Sequence, residues 1–352
     1  MTTTIIWSSL TRVIEHEGRD VDWRPRERGA WAEGDLIAAE AESAGGVIEA
    51  PDGHYVRVEK GDVVMGALGT RRATLEIVGG WRDVREDRRI QSLTRGGVLG
   101  RITSAATELT PYVIDLSYLG HVRLDGEPTR LRDWMLPPAG PPLHPRTPTI
   151  ALIGTSMSSG KTTAARMLIR RLTSMGLRVV GAKLAGVARF ADVLSMRDSG
   201  AEAVFDFVDG GLPSTAMPRD VVVESTRRVL AAVDALRADV LVAEAGASPL
   251  EPYEGAAVLR ELDPRLRMTV LCASDPYAAV GAERAFGLRP DFVAGRAAAT
   301  SAAVALVSKL SDLEAIDVTD PACRPRIDTM LAGALGIPRA PRPEGDPHRA
   351  QG

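Results

Sequence analysis

Hydrophobic positions along this chain follow two patterns. Up to about residue 135 they come in short β-type runs: Gly46 to Ala50, Tyr55 to Val58, Asp62 to Leu68, Ala73 to Val78, Tyr112 to Leu116 and His121 to Leu124. Turn signals such as Asp52-Gly53 and Gly79-Gly80 separate them. This pattern predicts a mainly β region, a small barrel or sandwich. From residue 149 the apolar runs are Thr149 to Ile153, Arg178 to Leu184, Asp239 to Ala243, Met268 to Ala273, Asp291 to Gly295 and Ala315 to Val318. Helix-forming stretches beginning near Lys161, Arg219, Tyr253, Ala278, Thr300 and Pro325 lie between or after them, with exits at Met175-Gly176 and Gly287 to Pro290. That alternation predicts an α/β fold with a mostly parallel sheet covered by helices.

Between the two regimes, Leu136 to Pro148 reads Leu-Pro-Pro-Ala-Gly-Pro-Pro-Leu-His-Pro-Arg-Thr-Pro. Repeated loss of backbone donors excludes helix and central strand there. The expected organisation is a smaller mainly β domain at 1–135, a stiff Pro-rich linker at 136–148, an α/β domain at 149–340 and a polar, disordered tail at 341–352. A chain of 352 residues suits two such domains.

Composition narrows the function classes. With 43 Lys and Arg against 46 Asp and Glu, the net charge of -3 supplies no broad positive field for nucleic acid or an anionic membrane. Arg71-Arg72 and the run from Arg82 to Arg89 are interspersed with acids and read as a solvated face. Cys272 and Cys323 form no C-x-x-C pair, so a disulfide framework or thiolate metal site is not expected, and a reducing cytoplasm is. The opening Met1-Thr-Thr-Thr-Ile-Ile-Trp has no signal-peptide pattern, and no segment approaches the roughly 18 apolar residues of a membrane helix. The histidines at 16, 54, 121, 144 and 348 show no metal-like grouping, and a G-x-S-x-G nucleophile elbow is absent.

The chemistry concentrates after the strand Thr149 to Ile153, in Gly154-Thr-Ser-Met-Ser-Ser-Gly160-Lys161-Thr162-Thr163, with a helix-forming stretch following at once. Strand, loop and helix in this order are the context a P-loop requires. Glycines let backbone N–H groups turn inward, the helix N-terminus adds partial positive charge, and Lys161 adds a full charge. The expected phosphate-binding residues are Gly154, Thr155, Ser156, Ser158, Ser159, Gly160, Lys161, Thr162 and Thr163, with Thr162 placed for Mg²⁺. Gly154 stands one residue earlier than in the common G-x-x-x-x-G-K-[ST] form.

That Gly-Thr opening and longer spacing resemble the dethiobiotin synthetase-like branch of P-loop proteins. The stretch carrying Gly154, Thr155, Gly160, Lys161 and Thr163 is also similar to the loop of a P-loop family that includes D-glutamate N-acetyltransferase. Ser156 replaces the aspartate typical of both, so no role of that acid carries over. The resemblance covers roughly residues 149 to 320.

Other candidates sit where parallel strands end. Glu244 follows Asp239 to Ala243 and reads as a Walker-B-like metal ligand or as a capping acid. The resemblance to dethiobiotin synthetases implies that Lys183 lies near phosphate and substrate carboxylate; a lysine snorkelling to water is the alternative. Asp206 and Asp198, in a segment expected to be a loop beside the P-loop, are candidate bases or metal ligands, with turn or cap roles as the alternative. Ser274, Asp275, Tyr277 and Arg296 would reach the same edge, Asp275 also being a good N-cap.

The function expected is an enzyme of kinase or ligase type that uses ATP or GTP with Mg²⁺ to phosphorylate or activate a small carboxylate or amino-acid-like molecule. In it Lys161, Lys183 and Asp206 are the catalytic candidates, and Thr162 and Glu244 hold the metal. The acetyltransferase resemblance implies an alternative, an N-acyltransferase whose loop binds the pyrophosphate of acetyl-CoA. A nucleotide-driven switch or metallochaperone is the third class. For the β-rich part, closure over the active site, acceptor binding and a homo-oligomer contact are the roles left open.

Overall fold

The computed structural model describes residues 3–108, 113–140 and 146–337. The strand start expected at Tyr112, part of the Pro-rich linker and the expected tail lie outside the described residues.

The N-terminal part forms β1 (Ile5–Trp7), β2 (Val21–Arg24), β3 (Leu36–Ala41), β4 (Val47–Glu49), β5 (Tyr55–Arg57), β6 (Val63–Leu68), β7 (Thr70–Arg72), β8 (Ile77–Gly80), β9 (Arg89–Ser92), β10 (Val98–Ala105), β11 (Asp115–Leu124) and β12 (Glu127–Pro128). Among the described residues, all except the β4–β5 hairpin join a 10-stranded sheet. Antiparallel pairs β6–β3, β3–β11, β11–β9 and β9–β10, together with the parallel pair β6–β10, close five of the strands into a ring. Closure leaves these strands no open edge.

Both faces of the ring are buried. Ile37, Ala39, Val64, Leu68, Leu99 and Leu116 pack together in one cluster. The alternate positions Leu36, Ala38, Met65 and Val98 belong to another, which continues into the C-terminal part through Leu184, Phe207 and Tyr253. Two buried faces explain why Val63 to Leu68 is a continuous apolar run.

Two details differ from the sequence reading. Residues 115–116 and 121–124, expected in two strands, belong to one, because β11 is continuous and shifts register between Tyr118 and Gly120. Gly79-Gly80 is not a turn but lies within β8, opposite Arg101 and Ile102 of β10. A Cβ on Gly79 would stand 2.2 Å from the Arg101 carbonyl oxygen, so glycine here serves close strand approach. The turn falls instead at 73–76, between β7 and β8, inside a run expected to be extended.

The C-terminal part alternates β13 (Thr149–Gly154), α1 (Lys161–Ser174), β14 (Val179–Lys183), α2 (Phe190–Arg197), β15 (Ala203–Asp206), α3 (Arg219–Ala235), β16 (Val240–Glu244), α4 (Gly255–Leu262), β17 (Leu266–Cys272), α5 (Pro276–Phe286), β18 (Phe292–Ala294), α6 (Ser301–Leu310) and α7 (Arg324–Leu335). Its strands form a parallel sheet in the order β15-β14-β16-β13-β17-β18. β13, β14 and β16 are buried throughout, as a sheet covered by helices on both faces requires. The segment at 203–206 is a strand and not the expected loop, whereas Ala315 to Val318 is not a strand and makes only a single bridge, Val293 to Ala315. No helix among the described residues is long and apolar enough to cross a membrane.

Polar ties fasten the two parts beside their shared core. Arg12 Nη2 lies 2.7 Å from Asp206 Oδ1 and 3.0 Å from Asp209 Oδ2, with its guanidinium carbon 4.8 Å from the Phe190 ring centre. The buried Glu49 carboxylate, on β4, accepts from the N–H groups of Phe190 at 2.8 Å and Ala191 at 2.7 Å, and from the Ser9 hydroxyl. A residue from the β-rich part thereby satisfies orphan donors at the start of α2.

Removing one partner of a buried ion pair leaves the other charge uncompensated. Arg12→Ala is expected to lower unfolding free energy by about 3–5 kcal/mol, read from the urea midpoint. A loss below about 1 kcal/mol, the scale of an exposed pair, would contradict a load on this tie.

Candidate active site

β13 ends at Gly154, and α1 begins at Lys161, so the expected cradle is a loop between a buried strand and a helix N-terminus. A Cβ on Gly154 would lie 2.2 Å from the Ala247 carbonyl oxygen, which fixes glycine at the start of the loop. Ser158 (φ 57°) and Gly160 (φ 104°) take left-handed conformations that bend it back. Thr155 N–H donates to the Cys272 carbonyl at 3.2 Å, Ser274 N–H donates to Thr155 Oγ1 at 3.0 Å, and Arg296 N–H donates to the Ser159 carbonyl at 3.2 Å. The ends of β17 and β18 therefore buttress the loop.

Lys161 is buried, with Nζ donating to the Ser156 carbonyl at 2.9 Å and to Ser159 Oγ at 3.3 Å. Burial pulls its pKa below the usual lysine value, against the opposing pull of Glu244. Thr162 faces the same space, whereas Thr163 is exposed and does not line it.

Parallel register brings the other two sequence candidates alongside. Lys183 pairs with Glu244 across β14 and β16, and Glu244 with Leu152 across β16 and β13. Glu244 is 3% exposed and lines the same cavity as Thr162, while its Oε1 has no partner. Burial first, then the neighbouring Asp192 carboxylate, pushes its pKa up to about 6 against Lys161, Lys183 and Thr162. A hydroxyl and one carboxylate are hard oxygen donors. They fit Mg²⁺, which is commonly held by one or two protein groups with phosphates and water. Among the described residues no three His, Cys, Asp or Glu side chains group into a self-sufficient metal cage.

Lys183 does not snorkel to water. Its Nζ donates to the Val187 carbonyl at 2.9 Å and to Asp192 Oδ2 at 2.6 Å. Burial works to raise the Asp192 pKa, but Lys183, then Arg189 and Lys161, outweigh it and hold the carboxyl below the usual range. Asp192 was not found from sequence: α2 is a short helix with mixed polarity, and the acid meets Lys183 only through a loop of the fold.

These groups surround a cavity of about 350 Å³ whose remaining wall comes from the β-rich part. Arg71, Glu76, Thr94 and Arg95 approach from that side, facing Lys161, Lys183, Arg189, Asp192 and Glu244. The reading of Arg71 as part of a solvated face is corrected: it is 8% exposed and lines the cavity, while Arg72 is exposed. Strand alternation separates the two arginines.

Other candidates lie elsewhere. Asp206 is taken up by Arg12 and does not line the cavity, and Asp198 is exposed at the end of α2. Asp275 caps α5, accepting from Ala278 N–H at 2.9 Å, and Tyr277 is exposed.

No protein-family model and no curated protein matches the chain. Solved structures similar to it include the hydrogenase maturation factor HypB from Archaeoglobus fulgidus, at 17% identity over 54% of this chain and 90% of that one, with TM-score 0.38. A DUF1611 family protein from Anabaena variabilis is 16% identical over 55% of this chain and 58% of that one, TM-score 0.37. The signal recognition particle receptor FtsY from Elizabethkingia anophelis is 16% identical over 55% and 68%, TM-score 0.34. The P-loop architecture of residues 149–337 rests on the parallel sheet and the loop described above.

The upward shift at Glu244 has a sign. Between about 4.5 and 6 the unfolded chain ionises this carboxyl before the folded one does, so stability falls as pH rises through that window. Glu244→Gln is expected to stabilise the ligand-free protein by about 2 kcal/mol at pH 7.5, with little gain at pH 4. Chemical denaturation at the two pH values checks this, and a destabilised variant at pH 7.5 would contradict it.

Proposed function

We propose that the chain is an enzyme that binds a nucleoside triphosphate, ATP or GTP, in the Gly154 to Thr163 loop and uses it to phosphorylate or activate a small carboxylate or amino-acid-like molecule. The observation that carries this reading is the cavity: the phosphate loop opens directly into a space of about 350 Å³, at the small end of ligand pockets. The cavity's charged groups suit anions, with Lys161, Lys183, Arg71, Arg95 and Arg189 set against Glu76, Asp192 and Glu244.

In this reading the backbone N–H groups at the start of α1 and the Lys161 ammonium hold phosphate oxygens. Thr162 and Glu244 would hold Mg²⁺, which supplies neutralisation of phosphate charge when bound. Lys183, paired with Asp192 at 2.6 Å, would orient the carboxylate of the acceptor toward the phosphates. Asp206 has no part in it, because Arg12 occupies its carboxylate. The resemblance of the loop to dethiobiotin synthetases, in the early Gly154-Thr155, agrees with a small acid as acceptor.

Thermal unfolding measured with millimolar MgATP, MgGTP and acetyl-CoA tests the proposal. A triphosphate is expected to raise the midpoint, and Lys161→Ala is expected to weaken its binding about 100-fold. Stabilisation by acetyl-CoA with no response to either triphosphate would overturn the reading in favour of acyl transfer.

A further inference from the structure

The β-rich part reaches the phosphate loop through the turn at 73–76. Glu76, at the end of that turn, has Oε1 3.5 Å from the Ser158 hydroxyl. Its other oxygen pairs with Arg71 Nη2. Arg71 Nη1 donates to the Leu93 carbonyl at 2.6 Å, and the buried Nε has no partner. One carboxylate thus bridges a buried guanidinium and the phosphate loop, inside the cavity that Lys161 and Thr162 also line.

The strand bearing Arg71 is fixed in place. Arg72 N–H donates to the Tyr253 hydroxyl at 2.8 Å, and the Thr74 hydroxyl donates to Glu251, both on the segment that follows β16. β16 also carries Glu244 to the site, so Arg71 and the phosphate loop share one rigid frame. Burying a guanidinium is costly unless it is paired. The acid that pairs with Arg71 also contacts the loop at Ser158, and both Arg71 and that loop line the cavity, so the guanidinium stands beside the place an anion in the loop would take.

We propose that Arg71 is a catalytic residue, an arginine finger supplied in cis by the β-rich part. It rests on the nucleotide reading above. With a triphosphate in the loop, the terminal phosphoryl group replaces Glu76 as anionic partner of the guanidinium, which then stabilises charge developing during transfer. The bond from the terminal phosphorus to the bridging oxygen breaks, and its electron pair leaves on the nucleoside diphosphate. A new P–O bond forms to an oxygen of the carboxylate acceptor or, in its absence, of water, whose proton passes to solvent. Arg71 donates hydrogen bonds and keeps its protons throughout. Only the planar guanidinium presents donors in a fixed fork, so lysine does not replace it.

The experiment compares wild type, Arg71→Ala and Arg71→Lys by thermal unfolding with MgADP, with and without aluminium fluoride as a mimic of the transferring phosphoryl group, and by phosphate release from MgATP. Wild type is expected to gain extra stabilisation from aluminium fluoride. Both variants should bind MgADP within about threefold of wild type, lose that extra stabilisation and release phosphate about 10³-fold more slowly. Added guanidinium ion should restore part of the rate in Arg71→Ala alone. If Arg71→Ala does not fold, Arg71→Lys decides. Variants that keep the aluminium fluoride response and the wild-type rate overturn the finger and leave nucleotide binding standing. A wild type that responds to neither ADP nor ATP overturns both.

Discussion

Lys183 Nζ pairs with Asp192 Oδ2 at 2.6 Å, the lysine buried and the acid half-buried. Burial penalises the ionised carboxyl, and the pairing outweighs it and holds Asp192 below the usual range. The surrounding structure follows from that constraint. β14 must end at Lys183, α2 must begin a few residues later to deliver Asp192, and the start of α2 needs an acceptor for its orphan N–H groups. Glu49 supplies that acceptor from the other part of the molecule. Phosphate-site electrostatics and the docking of the β-rich part are therefore one problem. Arg12 with Asp206 and Asp209 fastens the same junction from beside it.

Glu244 occupies the opposite situation. It is buried next to the like charge of Asp192, with one oxygen lacking a partner, and carries its cost in the ligand-free protein. Strain of this kind at a sheet edge is what a site poised for a cation or phosphate looks like before binding. The loop, Glu244, Lys183, Arg189 and Asp192 are contributed by the C-terminal part, and Arg71, Glu76 and Arg95 come from across the junction.

How much of this could be read from the chain depended on distance in sequence. The strand, loop and helix around Gly154 to Thr163 were legible because they lie within some 25 residues, and the glycines at the loop's two ends each have a local reason. Lys183 and Glu244 were legible because a charge terminating an apolar strand has few places to go in a parallel sheet. Arg71 and Glu76 were not. Their partners, Leu93 and Ser158, stand 22 and 82 residues away in sequence and meet them only in the folded chain. The sequence singles out Asp206 and passes over Asp192. The difference is Arg12, nearly 200 residues away, which claims one acid and leaves the other facing the cavity. In the β-rich part, Leu36 to Ala41 escaped notice because alanine is a poor strand signal, and both glycines of β8 imitated a turn.

The central claim is that phosphate binding in the Gly154 to Thr163 loop is felt on both sides of the cavity, since one wall belongs to the β-rich part. Amide hydrogen exchange with and without a saturating Mg-nucleoside triphosphate reads this directly. The account predicts slowed exchange in the loop and α1 together with slowed exchange at 70–77 and 92–95. Protection confined to the loop and α1, with the β-rich wall unchanged, would contradict it.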